Sequence, residues 1–576
     1  MNPIREKVLN VTIMASFSLV IAGLLYTQLI RYPYYSALSK NNSIRIIPID
    51  AARGVIFDRN GVPLVTSRLS FNVAVIYQEV RLKERLIQLL TDALDVSREK
   101  AARALAQAAE RPYAPVAIFE DIDKEKAFYL EEASFDVDGL IIETRSRRHY
   151  RFNDVGSHIF GYLGEVSERE LEALRDYGYR PKDLVGRAGL EKYYDRYLRG
   201  ANGGMQIQVD NKGRERKVLG LKEPSSGEDI YLTIDIRLQE ACDKLLGSHV
   251  GAIVAMDGRD GSILALASHP SFDPNIFVQA ASSPERMRLI NDTTGRPLSN
   301  RAISGLYPPG SVFKVVTASA GLESKRISPN TRFFCPGYYT LGPARFDCWK
   351  EGGHGSQEIT GGLMNSCNVF FYSTGRAAGP DNIENCAKVF GFGRPTGIDL
   401  PDEVAGLVPG RMWKRLTKGA SWYEGETLNY AIGQGYLLVT PIQILQMMTA
   451  MANNGKIVRP YLVKAIGPIL IASARQKNIG LKEKTIQKIR EGIYKVVEAE
   501  GGTGRRAGVE GLAVAGKTGT AQNPHGKTHA WFSGFAPYND AKMTVVVFLE
   551  HGGKGGLEPA EMAKGMFEEA KRIGYL

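Results

Sequence analysis

The sequence predicts an α+β chain: an N-terminal transmembrane helix, a mixed α+β region, and a larger α+β domain whose sheet is flanked by helices. Three observations predict it. Val8 to Ile30 carries no charged side chain. From about residue 45 to 220, extended and helical stretches alternate with few groups suited to catalysis. From residue 228 to 576, early strands and late strands bracket a helical middle, which implies one sheet built from both ends.

Residues 8–30 are long enough to cross a hydrocarbon core as one helix, which needs about 20 apolar residues. Arg5 and Lys7 precede the run and Arg31 follows it, so flanking charge says little about orientation. A cleaved signal peptide is the competing reading, but Arg31-Tyr32-Pro33-Tyr34-Tyr35 offers no small-residue cleavage site. The bulk of the chain is therefore expected on one side of a membrane.

Within residues 45–220, Arg45-Ile46-Ile47-Pro48-Ile49 reads as an edge or irregular strand because proline cannot donate to a ladder. Ala52 to Gly61 reads as a strand closed by an Asn60-Gly61 turn, and Val73 to Val80 continues extended. Leu82 to Glu110 is rich in Ala, Leu, Lys and Glu and reads as helices. Another helix starts at Gly186-Arg187-Ala188-Gly189-Leu190-Glu191 and ends at Gly200. Glu223 to Glu228 is a polar linker. Beyond it, Tyr231 to Ile234 is a strand and Asp235 caps a helix running to Leu246. Val250 to Met256 and Ser262 to Ser268 flank a hairpin turn. Leu512 to Thr520, Ala530 to Phe535 and Met543 to Leu549 supply the late strands, and a helix from Glu558 to Ile573 closes the chain.

The 576 residues suffice for two or three soluble domains, and the net charge of +11 suits an acidic phospholipid or acidic polymer environment. Nucleic acid fits poorly: the positive charge is spread thinly, without a helix-turn-helix cue, zinc-finger repeat or concentrated basic tract.

Three short motifs carry chemistry in order: Ser311-Val312-Phe313-Lys314, Ser366-Cys367-Asn368 and Lys517-Thr518-Gly519. Tyr307-Pro308-Pro309-Gly310 forms a turn before Ser311, and the apolar run after it reads as a buried helix. Residues three apart on a helix are neighbours, so the Lys314 amine can reach the Ser311 hydroxyl. A serine attacks only when a base takes its proton, and lysine becomes such a base when burial and a second cation lower its pKa. Lys517 is that second cation and attracts a substrate carboxylate. The Ser311 N–H, at the positive end of a helix, can stabilise an oxyanion. Ser366 can relay a proton between the lysines and a leaving group, and Asn368 can bond a substrate amide.

This ordered set is shared by penicillin-binding proteins and class A β-lactamases. The chain most resembles the class B penicillin-binding proteins, in their elongation-specific subclass. The resemblance spans nearly the full length. It rests on Arg53-Gly54 with Asp58-Arg59-Asn60-Gly61, on Gly186 to Glu191 with Tyr194-Asp195 and Leu198-Arg199-Gly200, and on Tyr307 to Ser311. Trp422-Tyr423, Ile432-Gly433-Gln434-Gly435 and His529 to Pro537 add to it. The subclass rests on Trp349-Lys350, Gly353-His354-Gly355, Pro409-Gly410 and Trp413-Lys414.

The resemblance implies an anchor at 8–30, an elongated non-catalytic (dimerisation-type) pedestal at 45–220, and a transpeptidase domain at 228–576 with a five-stranded antiparallel sheet. It implies a single-pass protein of the cytoplasmic membrane with its bulk in the periplasm. Ser311 would attack the D-Ala-D-Ala bond of a peptidoglycan stem peptide, and an amine of a neighbouring stem would resolve the acyl-enzyme. Water in its place would give carboxypeptidase activity. Lys314 would be the base and Ser366 with Lys517 the relay. Asn368, Thr518 and Gly519 would line the substrate site, with Thr520 offering a second oxyanion N–H and a carboxylate contact. β-Lactams would acylate Ser311. Expected partners are a SEDS-type glycan polymerase and other proteins of the elongation complex.

Five cysteines occur, an odd number for a disulfide framework outside the cytoplasm. Cys335, Cys348, His354 and Cys367 are separated by 12, 5 and 12 residues, a Cys3His set suited to one structural zinc ion. The resemblance supports zinc, because subclass members carry ligands at matching positions, with aspartate replacing some of the cysteines. The alternative is a Cys335–Cys348 disulfide with Cys367 as a small buried residue. For function, the alternatives are a hydrolase that turns over its acyl-enzyme and a catalytically silent scaffold. An anchored chain with a domain-sized pedestal fits neither as well as a cell-wall crosslinker.

Overall fold

The computed structural model describes residues 3–36, 44–181, 183–209, 215–279, 283–471, 476–524 and 526–576. They form two compact units. One comprises Met1–Ala52, Leu69–Ser146 and Gly200–Ser226; the other comprises Arg53–Arg68, Arg147–Arg199 and Gly227–Leu576. The division thus departs from the linear boundary at 220–228, because residues 53–68 and 147–199 make their contacts with the C-terminal unit.

The first unit begins with an exposed apolar helix over Ile4–Ile30, of mean hydropathy 2.2, ending in a π-helical turn at Tyr26–Ile30. At 1.5 Å per residue it spans about 40 Å, more than a hydrocarbon core requires. Ile44–Ile49 pairs antiparallel with Gly203–Val209, which pairs in turn with Glu215–Lys222. Pro48 lies in an outer strand of that sheet, where its missing N–H costs nothing. A separate core forms where helices Lys83–Leu94 and Arg98–Ala108 bury Leu86, Leu90, Ala101 and Leu105 with Val73, Val75 and Leu130. Leu86, Ile87, Leu90 and Leu94 fall on one helical face, the amphipathic spacing that makes this segment a helix. Ser97 caps the second helix by accepting from the Lys100 N–H.

The second unit holds a five-stranded antiparallel sheet of β1 (Gly251–Asp257), β2 (Ile263–His269), β3 (Ala515–Ala521), β4 (His529–Ala536) and β5 (Met543–Leu549), in the order β2-β1-β5-β4-β3. Every residue of β1, β2, β4 and β5 is buried. That explains why they read as continuous apolar runs rather than alternating ones: both faces are covered. Among its helices are α1 (Ile236–Leu246), α2 (Lys314–Glu323), α3 (Asn368–Ala378), α4 (Pro441–Ala452), α5 (Glu483–Glu498) and α6 (Glu558–Arg572). Ile253, Ala255, Val545 and Val547 join a core with Leu238 of α1 and Phe567 of α6. Val254, Met256, Val546 and Phe548, one residue out of step, join the core of α2, α3 and α4. Asp235 caps α1 as expected, accepting from the Arg237 N–H.

Residues 53–68 and 147–199 are tied to each other by buried charge, and to the rest of the unit by bonds such as Val55 N–H to Asp229 Oδ1 at 2.7 Å and the Tyr194 hydroxyl to Asp399 at 3.0 Å. The Arg53 guanidinium donates to Glu191 and Asp195, each at 2.7 Å, and Arg148 donates to Glu191 at 2.6 Å and to the Gly54 carbonyl at 2.6 Å. Gly54 has no room for a side chain: a Cβ there would stand 1.9 Å from the Glu228 carbonyl oxygen.

Candidate active site

The Pro308-Pro309-Gly310 turn delivers Ser311 into a 3₁₀ turn, Gly310–Phe313, rather than directly into an α-helix; α2 begins at Lys314. Val312 and Phe313 are fully buried and fix this turn, leaving Ser311 half-buried. The tight approach of β3 closes the site. A Cβ on Gly519 would lie 2.8 Å from Val312 Cγ2 and 2.9 Å from the Pro309 carbonyl oxygen, so only glycine lets the third motif reach the first. β3 is also an outer strand of its sheet, so one of its backbone edges is open to an extended ligand.

Lys314 is fully buried and turns to the second motif. Its Nζ donates to the Ser366 carbonyl at 2.7 Å, to Asn368 Oδ1 at 2.7 Å and to Ser366 Oγ at 3.3 Å. Among the described residues, no hydrogen bond joins the Ser311 hydroxyl to Lys314. An ammonium has three donors, and the second motif supplies three acceptors in one place. Lys517, also fully buried, donates to Ser366 Oγ at 3.0 Å and to the Thr518 carbonyl at 3.0 Å. The Ser366 hydroxyl therefore bridges both lysines.

Burial pulls the Lys314 ammonium down to about 7, partly opposed by the Cys367 and Cys348 thiols. Burial, and then the charge of Lys314, pull Lys517 well below the ordinary lysine range. Two buried cations sharing one hydroxyl oxygen favour a state in which one has lost its proton.

The remaining predicted residues gather around this pair. Asn368 Nδ2 donates to the Asp347 carbonyl at 3.3 Å, which fixes the amide with its oxygen toward Lys314. The Thr518 hydroxyl is 3.0 Å from that of Thr503. Thr520 is exposed, and its Oγ1 accepts from the Gly555 N–H at 3.4 Å.

Sequence reasoning gave no role to Thr503 or to the Asp347 backbone, and used Trp349 only as a family mark. Thr503 lies in Gly501-Gly502-Thr503-Gly504, a turn-forming stretch with no fixed spacing to any motif.

Cys335, Cys348, His354 and Cys367 converge, with their ligand atoms all within 4.8 Å of one another. All five cysteines are free thiols, and the antiparallel pairing of Phe333–Cys335 with Gly355–Gln357 brings Cys335 beside His354. His354 Nδ1 stands 3.7 Å from Cys335 Sγ and 3.5 Å from Cys348 Sγ. Around tetrahedral zinc, ligand atoms sit roughly 3.5–3.8 Å apart, as follows from metal–ligand bonds of about 2.0–2.3 Å. The donor set therefore fits that ion. His354 Nε2 is buried without a hydrogen-bond partner, which leaves the ring oriented by its Nδ1 face.

Comparisons with known proteins agree on the lineage. The profile described as "Penicillin binding protein transpeptidase domain" matches residues 251–568, and "Penicillin-binding Protein dimerisation domain" matches residues 48–232. Peptidoglycan D,D-transpeptidase MrdA of Haemophilus influenzae is 33% identical, over 95% of this chain and 89% of its own. Penicillin-binding protein 2 of Helicobacter pylori, solved in complex with MreC, superposes with a TM-score of 0.81 at 30% identity, covering 92% of this chain and 100% of that one. A chain from a structure described as "Structural coordination of polymerization and crosslinking by a peptidoglycan synthase complex" superposes at 0.76, with 32% identity over 99% of both.

Proposed function

The chain belongs to the penicillin-binding protein transpeptidases, in the penicillin-binding protein 2 group, and on that premise we propose how it crosslinks peptidoglycan during cell elongation. Ser311 Oγ attacks the carbonyl carbon of the D-Ala-D-Ala bond while Lys314 takes its proton. Catalytic hydrogen bonds often tighten only once substrate is in place, and the helical spacing puts Lys314 within reach of Ser311. The N–H groups of Ser311 and Thr520 receive the oxyanion. Ser366 passes a proton from the lysine pair to the departing D-alanine amine, leaving a Ser311 ester. The amine of a second stem peptide then attacks that ester, gives up its proton along the same route and restores Ser311. Asn368 bonds the stem-peptide backbone, while Thr518, Gly519 and Thr520 hold its carboxylate end against the edge of β3. Water in place of the amine gives D-Ala-D-Ala carboxypeptidase action. A β-lactam acylates Ser311 in the same way.

The observation that carries this reading is the single Ser366 hydroxyl, 3.3 Å from one buried lysine and 3.0 Å from another. Purified protein is incubated with labelled penicillin and compared with Ser311→Ala. Lasting label on the native protein and none on the variant is expected. Label on the variant, or none on the native chain, overturns the nucleophile; rapid loss of label points to a hydrolase.

Cys335, Cys348, His354 and Cys367 hold one zinc ion, which supplies a structural crosslink between the loop after α2 and the Ser366-Cys367-Asn368 segment. The gathering of the four ligand atoms within 4.8 Å, with His354 Nδ1 at 3.7 and 3.5 Å from two thiols, supports this. Elemental analysis of the purified protein should return one zinc per chain; none, with a disulfide by mass spectrometry, rules it out. Ile4–Ile30 anchors the chain in the cytoplasmic membrane, with the catalytic unit on the periplasmic side where peptidoglycan lies. The polymerase partner is of the SEDS type, working with further elongation-complex proteins. Similarity to chains solved with MreC and in a peptidoglycan synthase complex supports this assembly.

A further inference from the structure

Three successive backbone carbonyls at the second motif are each held by a side chain from a different part of the catalytic unit. The Met364 carbonyl accepts from Thr503 Oγ1 at 3.3 Å. The Asn365 carbonyl accepts from the Trp349 indole N–H at 3.0 Å. The Ser366 carbonyl accepts from Lys314 at 2.7 Å. Together they brace a residue in an unfavourable conformation. Ser366 has φ of +49°, in the left-handed region that a side chain with a Cβ rarely adopts. Such strain persists only where surrounding contacts over-determine it.

The location of the strain gives it a purpose. Ser366 Oγ must lie between Lys314 and Lys517, and the backbone twist aims it there. A relaxed backbone at Ser366 would swing the hydroxyl away from one lysine or both. Asp347 and Trp349 grip the segment from the same short loop: the Asp347 carbonyl accepts from Asn368 Nδ2, and the Trp349 indole holds Asn365. Cys348 lies between them in the chain, and the Trp349 ring packs edge-on against His354 with centroids 5.2 Å apart. Thr503 has a second contact, to the Thr518 hydroxyl, so it joins the second motif to the third.

We propose that Trp349 and Thr503 are positioning residues for acyl transfer, holding Ser366 in its left-handed conformation so that its hydroxyl joins the two lysines. Neither touches the reacting atoms. This inference rests on the serine acyl-transfer reading above.

The test measures acylation by labelled penicillin on the full-length protein, separating the binding constant from the acylation rate constant. Trp349→Phe keeps an aromatic ring and removes only the indole donor. Thr503→Val keeps the shape and removes the hydroxyl, while Thr503→Ser restores it. Loss of one hydrogen bond that opposes backbone strain is expected to lower the acylation rate constant about tenfold. Penicillin affinity should stay within about twofold, the effects should compound in the double variant, and Thr503→Ser should recover most of the rate. The zinc content and melting temperature of Trp349→Phe should match those of the native chain. Unchanged acylation in both single variants overturns the inference, as does a loss seen only in affinity or failure of Thr503→Ser to rescue. Ser311→Ala run in parallel separates the two readings. Label on that variant sinks the acyl-transfer mechanism, whereas its absence beside native-like Trp349→Phe and Thr503→Val sinks only the positioning role.

Discussion

The catalytic unit buries charge in opposite ways at two of its sites. Between residues 53–68 and 147–199, Arg53 and Arg148 face Glu191 and Asp195, two cations against two anions. In the cleft, Lys314 and Lys517 face the same serine, and among the described residues neither forms an ion pair with a carboxylate. Burial pushes the Glu191 carboxyl up, but Arg148 and Arg53 more than reverse this and hold it below its usual range. Burial with no compensating carboxylate does the reverse to Lys314, weakening its hold on a proton. Paired burial makes a charge permanent and serves architecture; unpaired burial makes a proton mobile and serves chemistry.

Substitutions should separate the two sites sharply. Lys314→Met keeps the buried bulk and removes the base, so acylation by labelled penicillin should fall by roughly 10²–10⁴-fold. Its melting temperature should hold or rise, because a desolvated cation has been replaced by an apolar chain. Arg148→Met should do the opposite. It leaves the buried Glu191 with Arg53 as its one remaining cation, at a cost of about 3–5 kcal/mol read from thermal or denaturant unfolding, while folded molecules still acylate. Equal loss of stability in both variants would erase the distinction.

Acidity offers a second separation. Acylation requires neutral Lys314, so its rate should fall as pH drops through about 7 and level off above it. The same shift affects stability. Between about 7 and the ordinary lysine value of 10.5, the unfolded chain binds a proton that the folded chain does not, so this group makes stability rise with pH across that window. Glu191 has the same sign in a different window: its lowered value adds stability above the ordinary carboxylate range, and this is lost as acid protonates it. Unfolding measured against pH in native and Lys314→Met protein should differ only in the alkaline limb.

The smallest effect is expected at the surface. Lys192 pairs with Asp402 at 3.0 Å, but the two side chains are 43% and 68% exposed. Lys192→Ala should therefore change stability by about 0–1 kcal/mol, and less in high salt. A larger loss would mean that exposure is a poor guide to which charges matter here.

Much of this was legible in the chain. Strand and helix positions in the catalytic unit follow from apolar runs and turn residues. β5 and α6 start where they were expected, at Met543 and Glu558. The three motifs predicted the membership of the site, and the cysteine–histidine spacing predicted which four ligand atoms meet. Other features lay beyond the reach of local spacing. Helical spacing pointed Lys314 at Ser311, yet its amine sits on Ser366 and Asn368, because acceptors 52 and 54 residues away offer it a fuller set of hydrogen bonds. The grouping of residues 53–68 and 147–199 with the catalytic unit by contacts was not legible either, although the dimerisation-domain profile spans 48–232 as one stretch, close to the pedestal at 45–220.

Local order therefore determined the N-terminal apolar helix, the strands, the other helices and the identity of the reactive groups, since periodicity and turn chemistry act over a few residues. Tertiary structure alone decided the left-handed twist at Ser366, the carbonyl contacts of Trp349 and Thr503, and the partner of each buried charge. Those depend on which distant groups satisfy one another's hydrogen bonds once water is excluded, and sequence distance carries no record of that choice.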